Sequence, residues 1–279
     1  MATRDDILRE LRLAPLWRQR TSPGLGHAAT FGSAPDLTPA TAVVGRSTPV
    51  HPDAQARNSV LSAADSLAQE RRAAENTDVR RERIAALTWP IFAADVASCT
   101  ACGLCQTRNK PVPGVGDINA EWLFVGEAPG SEEDAKGEPF VGQAGRLLDN
   151  MLAALGLARG ANVYIANVQK CRPPGNRTPA LAEIEACRPY LDRQIALIRP
   201  KLIVALGKSA ATTLLGAAAT IASLRGRVHR YRDVPLVVTY HPAYLLRTLL
   251  DKPKAWEDLL LARRTMTRLK AKDGAAGVD

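Results

Sequence analysis

The chain of 279 residues lacks any apolar run approaching the ~20 residues a membrane-spanning helix needs, so a spanning protein is excluded. No secretory signal is expected either. Met1 to Leu16 carry Asp5, Asp6 and Glu10 without an apolar core of sufficient length. An even set of cysteines is missing, and five in a chain of this size do not form a secreted disulfide framework. A reducing, cytoplasmic compartment is expected, where clustered cysteines more often bind metal than one another. There is no internal repeat. Residues 1–90 contain no lysine, and their twelve Arg against ten Asp or Glu contribute only +2 of the formal charge of +9, which leaves +7 on the remainder. What is present is 46% apolar content, enough for a sizeable core, and a positive excess that calls for an anionic partner, nucleic acid first.

Residues 1–90 and 91–279 differ in kind. In the first stretch Ile7, Leu8, Leu11 and Trp17 suit a short amphipathic helix, residues 19–55 have linker composition, and residues 57–88 suit a solvated or frayed helix. A largely disordered or helical extension is therefore expected at 1–90, ahead of a folded domain at 91–279. In that domain 121–125 (EWLFV), 162–168 (NVYIANV), 201–206 (KLIVAL) and 235–240 (PLVVTY) read as strands buried on both faces. Helices are predicted between and after them: 145–157, one capped by Thr178 and Pro179 that breaks at Pro189 and restarts over 190–198, 209–215, and 255–269. The alternation predicts a three-layer α/β/α domain around a four-stranded, mainly parallel sheet, with ligands at the carboxyl ends of the strands.

Four loops after those strands carry candidate chemistry. Gly126-Glu127-Ala128-Pro129-Gly130 lets backbone approach a ligand closely, although any tight strand-to-helix turn favours the same residues. Downstream, Phe140 is either core packing or a stacking platform for a flat base. Asn167, at a strand end, offers the donor and acceptor of a pyrimidine edge, or caps a turn. Gly207-Lys208-Ser209 is not a phosphate loop, since Leu202 occupies the position of the required glycine. It retains a helix start where Lys208 can meet a DNA phosphate. His241 can donate to charge developing on a leaving group, or be a satisfied structural residue. Leu245 and Leu246 beside Arg247 suit a wedge into a base stack with the arginine on phosphate, and equally the first turn of a buried helix.

Cys99, Cys102 and Cys105 lie three apart, with Cys171 and Cys187 far downstream. Thiolates at C-x2-C spacing share one metal or cluster from a single loop, and ligands from distant segments would close the set. The run does not continue as in a bacterial ferredoxin, because Asn109 and Lys110 follow. Spacing alone does not separate zinc from an iron-sulfur cluster, and zinc is the default.

Together these segments resemble the family 4 uracil-DNA glycosylases, the iron-sulfur type. The matching stretches are CTACGLC from Cys99, GEAPG from Gly126, EDAKGEPFVGQAGRLLD from Glu133, YIANVQKCRPPGNRTP from Tyr164 and HPAYLLR from His241, in an order and spacing that cover about residues 95 to 270. The resemblance implies a 4Fe-4S cluster on Cys99, Cys102, Cys171 and Cys187, and shifts the choice away from zinc. Cys105 departs from the family pattern and is read as a spare thiol. The resemblance further implies a monofunctional enzyme that flips uracil from single- or double-stranded DNA and hydrolyses its glycosidic bond, leaving an abasic site. Phe140 would stack on uracil, Asn167 would read its edge and His241 would stabilise the departing base. Gly126 and Ala128 would complete the pocket.

Ala128 stands where the best-known glycosylase family has a water-orienting Asp, so Glu127, or else Asp134, becomes the candidate to position water. Lys170, Arg172, Arg177, Lys208, Leu245 and Arg247 are candidates for DNA contact. The loop after Cys171 lacks the histidine-bearing basic insertion of related glycosylases that trap uracil covalently, so turnover is expected. A monomer associated with the nucleoid is expected, with residues 1–90 available to a protein partner. The alternative is a noncatalytic iron-sulfur DNA-binding module attached to replication or repair partners.

Overall fold

A computed structural model describes residues 77–216 and 219–276, and the expectations for residues 1–76 lie outside them. The compact unit runs from Asp78 to Asp279, so it begins before the expected boundary at 91. The reason is packing: Ile84 and Leu87 are buried with Phe92, Val96 and Tyr190. Helix α1 (residues 77–85) and helix α2 (Trp89–Ser98) therefore belong to the folded unit.

The sheet has six strands in the order β1-β3-β2-β4-β6-β5. They are β1 (Val115–Gly116), β2 (Trp122–Gly126), β3 (Val163–Asn167), β4 (Leu202–Leu206), β5 (Val228–Tyr231) and β6 (Val234–Thr239). The four expected strands form its parallel centre. The expectation of four is corrected by β1 and β5, which add antiparallel edges. Neither has an apolar signature, since β1 is two residues long and β5 is mostly exposed.

Alternation along the central strands sends side chains to two layers. Leu123, Val125, Ala166, Ile203, Ala205 and Val238 pack on one face against helices α5 (Leu181–Ile198) and α6 (Lys208–Leu215). Phe124, Ile165, Val204 and Val237 pack on the other against helix α4 (Gln143–Ala154) and helix α9 (Lys252–Ala276). The short helices α3 (Ser131–Lys136), α7 (Ile221–Leu224) and α8 (Pro242–Arg247) complete the three-layer α/β/α domain.

Two helix expectations are corrected. Helix α5 runs without a break through Pro189. The bond a proline removes is the one to Glu185, whose residue is exposed, so water can satisfy that carbonyl. The cap of α5 is Ala180 rather than Thr178, and Glu183 reaches back to the Ala180 N–H at 2.7 Å. Among the described residues no helix is long and apolar enough to cross a membrane.

Candidate active site

The parallel register brings the chemistry together. Gly126 at the end of β2 is the direct partner of Asn167 at the end of β3, and two strands further along the sheet β6 delivers His241. A cavity of about 450 Å³ opens there, lined among others by Glu127, Ala128, Phe140, Asn167, Arg177, His241 and Arg247. Such a volume suits a small-molecule site.

Gly126 backs this cavity. A Cβ on it would lie 2.4 Å from Asn167 Oδ1 and 2.6 Å from the Phe140 ring, so only glycine lets those two side chains occupy their places. Phe140 is buried among Trp122, Phe124 and Leu148, and its ring stacks on that of His241 with centroids 5.4 Å apart at 29°. Phe140 is therefore core packing, and the same residue also lines the cavity.

Asn167 is buried, and its Oδ1 has no hydrogen-bond partner among the described residues. An unpaired buried acceptor costs free energy unless a ligand satisfies it. Its backbone carbonyl is held at 2.7 Å by Lys170 Nζ, which also bonds Gln194 Oε1. Lys170 is therefore corrected as a phosphate contact, for it is 1% exposed and burial pushes its pKa down to about 8.

His241 caps α8, and its Nδ1 accepts the Ala243 N–H at 3.1 Å. A backbone N–H can only donate, so Nδ1 is unprotonated and Nε2 carries the hydrogen. Burial, with the charge of Arg247 adding to it, pushes the pKa of His241 down to about 4 against the opposing charge of Glu133. The ring is consequently neutral at ordinary pH and donates through Nε2.

Glu127 is half-buried on the cavity wall. Burial raises its pKa above 4.5 although the Ser209 and Thr178 hydroxyls bond the carboxylate. Asp134 is a different case and is corrected as a water-positioning candidate. It is fully buried, and both its oxygens accept from Asn109, at 2.9 Å from the backbone and 2.6 Å from the amide.

The remaining DNA candidates separate. Arg247 is exposed at the cavity rim, and Arg177 lies there paired with Glu183 at 2.6 Å. Arg172 does not line the cavity itself but bonds Asn176, which does, at 2.7 Å, and Lys208 borders another cleft with Leu181 and Thr212. Leu245 is corrected: at 1% exposure it packs with Leu147, Tyr240 and Ala255, so it is the first-turn core residue of a helix and not a wedge.

The candidate cluster thiols come from four segments of the fold. Cys99 follows α2, Cys102 precedes a 3-10 turn (Gly103–Gln106), Cys171 follows β3 and Cys187 is buried in α5. Negative charge on Cys99 opposes ionisation of Cys102, Cys171 and Cys187 alike, and Cys105 acts on Cys102 in the same way, so all five thiols lie within electrostatic reach of a neighbour. Each sulfur has a donor. Burial opposes ionisation of Cys99, but the Ala101 N–H, Tyr190 and Arg80 overcome it and lower its pKa. The Leu104 N–H serves Cys102, Arg108 Nη1 reaches Cys171 at 2.8 Å, and the Lys170 N–H reaches Cys187 at 3.3 Å. Burial still raises the thiols of Cys102 and Cys171 and pushes Cys187 up to about 12. Donors aimed at every sulfur fit thiolate ligands of a cluster. Among the described residues no three His, Cys, Asp or Glu side chains already converge as a metal site.

Sequence reasoning missed two contributors. Glu133 bonds the N–H groups of Gly130 and Val141, both at 3.0 Å, and so joins the GEAPG turn to the loop after Phe140. Its spacing from Gly130 was a usable signal, being that of a glutamate that reaches back to the N-cap N–H. Arg108, which spans Cys171 and the carbonyls of Ala97 and Cys99, carries no local signal.

An open sheet with a parallel centre and a cavity at the carboxyl ends of its strands, holding an unpaired Asn167 Oδ1 and a neutral His241, is the layout of an α/β enzyme site. The chain belongs to the uracil DNA glycosylase superfamily, whose family model matches residues 113–260. Within it, similarity is to the type-4 group. The type-4 uracil-DNA glycosylase of Archaeoglobus fulgidus is 48% identical over 160 residues, which is 54% of this chain and 80% of that protein. That of Pyrobaculum aerophilum is 44% identical over 174 residues (60% and 88%), and that of Thermotoga maritima 45% over 159 (56% and 82%).

Proposed function

We propose that this protein excises uracil from DNA by hydrolysing the N-glycosidic bond. The observation that carries the reading is the unpaired Oδ1 of Asn167 in one cavity with a neutral His241 and the Phe140 ring. The type-4 relatives, named for uracil, support the choice of base. A base inside a duplex is out of reach, so the nucleotide must be extruded at a cost of about a few kcal/mol. Phe140 then provides a stacking face and Asn167 pairs with the edge of the base. Satisfying a buried polar group discriminates strongly against a base that cannot do so.

As the bond breaks, negative charge develops on the departing base. His241 Nε2 donates to it without moving a proton, and the Ala243 N–H on Nδ1 holds that tautomer. The sugar acquires oxocarbenium character, and Glu127 positions the attacking water as a carboxylate base. Ala128, which lines the cavity, has no group that can do so. Arg247, Arg177 and Arg172 take DNA phosphates. Leu250, 82% exposed beside Asp251, is the apolar side chain free to enter the gap in the stack, since Asp251 bonds the cavity residue Tyr244 at 2.5 Å.

Cys99, Cys102, Cys171 and Cys187 would hold a 4Fe-4S cluster, with Cys105 as a spare thiol. Bound there, it supplies four metal-thiolate bonds that clip α2 to α5 and to the strand end carrying Asn167. The protein acts as a monomer at DNA in the nucleoid. A noncatalytic module has no use for an unpaired Asn beside a neutral His.

The test is release of free base from single- and double-stranded oligonucleotides carrying uracil, hypoxanthine or xanthine, with iron and sulfide quantified in the same preparation. Release of uracil with an abasic site left behind is expected, and intact oligonucleotide from cluster-loaded protein overturns the reading.

A further inference from the structure

Phe140 has φ 56°, the left-handed region that a bulky side chain rarely occupies. Strain of this kind persists only where surrounding groups hold it. Two do so here. Its carbonyl presses on Gly145, where a Cβ would lie 1.8 Å from the Phe140 oxygen, so the approach requires glycine. On the other side Arg159 closes over the strained turn. Its Nη1 donates to the Pro139 carbonyl at 2.9 Å and its Nη2 to the Phe140 carbonyl at 2.8 Å. The same guanidinium is anchored by Asp149 of α4, through Nε at 3.1 Å and Nη2 at 2.9 Å.

We propose that Arg159 is a positioning residue for base binding: its fork, anchored on Asp149, holds the Pro139 and Phe140 carbonyls so that the Phe140 ring keeps its face against His241 and the cavity. This inference rests on the glycosylase reading. Arg159 is not among the residues lining the cavity, so it acts through Phe140 and not on the base. The geometry needs a planar group with several fixed donors, because two successive carbonyls and a carboxylate are bridged at once. An ammonium group lacks that shape.

The experiment is a double-mutant cycle in single-turnover uracil release, using Arg159→Gln and Phe140→Ala in the cluster-loaded full chain. Arg159→Gln is expected to slow release about tenfold while affinity for uracil-free duplex stays the same. In the Phe140→Ala background it is expected to add nothing, because the ring it positions is gone. A purely structural role predicts the same fractional loss in both backgrounds, and that result overturns the inference, as does an unaffected Arg159→Gln. Should Arg159→Gln fail to fold, Asp149→Asn replaces it, because that change loosens the anchor and leaves both carbonyl contacts. A smaller loss, again absent without Phe140, supports the inference; no loss, or equal losses, overturns it. Inactive wild-type protein overturns the glycosylase reading and this inference together, whereas active wild-type protein with an unaffected cycle overturns this inference alone.

Discussion

The ring of His241 lies 5.4 Å from that of Phe140, stacked at 29°, while its Nδ1 is taken by the Ala243 N–H. One residue thus joins the wall of the cavity to its proposed electrophile. The chemistry depends on this imidazole staying neutral and turned so that Nε2 remains free to donate.

The pH profile follows from that arrangement. Glu127 titrates above 4.5 because of burial, and His241 at about 4, also because of burial. As pH falls, the Glu127 carboxylate is lost first. The acid limb of single-turnover uracil release therefore belongs to Glu127 and lies above 4.5. Glu127→Gln is expected to lower the plateau about a hundredfold and to remove that limb, leaving only a fall near 4 where His241 protonates. The linkage for stability has a matching sign. The folded His241 resists protonation relative to its ordinary value of 6.5, so its share of stability is complete above 6.5 and lost as pH drops toward 4.

Leu245 and Leu250 separate packing from DNA contact. Truncating Leu245, 1% exposed, is expected to cost about 2–5 kcal/mol in denaturant unfolding. Leu250→Ala, at 82% exposure, is expected to leave stability within about 0.5 kcal/mol. It should slow uracil release from duplex DNA several-fold while sparing single strands, because only a duplex needs a gap filled.

Much of the architecture was legible because the four central strands are unbroken apolar runs, and because strand ends in an open parallel sheet are where ligands bind. Gly126 and His241 each follow such a run and Asn167 lies at the end of one, and so their meeting could be anticipated. The edge strands β1 and β5 left no apolar trace. Leu245 could not be assigned from sequence, since a wedge and a core residue share the same side chain, and only Leu147, Tyr240 and Ala255 decide between them. Lys170 looked like a phosphate ligand from its basic neighbourhood, yet Gln194, 24 residues away, draws it inward. Arg159 was invisible for a similar reason: its acceptors at Pro139 and Phe140 lie 20 and 19 residues away.

The proposed cluster provides a further prediction. Cys187→Ser, at a buried position on α5, is expected to abolish iron retention and lower the melting temperature, since a clip between α2, the Cys171 loop and α5 is lost. Cys105→Ser is expected to retain full iron content and the same melting temperature. Iron assay and thermal unfolding of the two variants check this directly.

The most direct test of the central claim is single-turnover release of uracil from a uracil-containing oligonucleotide by wild-type protein, Asn167→Ala and His241→Ala. Removing one preorganised donor to a developing charge typically costs about 10²–10³ in rate, and His241→Ala is expected to show such a loss with DNA affinity unchanged. Asn167→Ala is expected to lose uracil release by at least about a hundredfold. Wild-type rates in either variant would contradict the account.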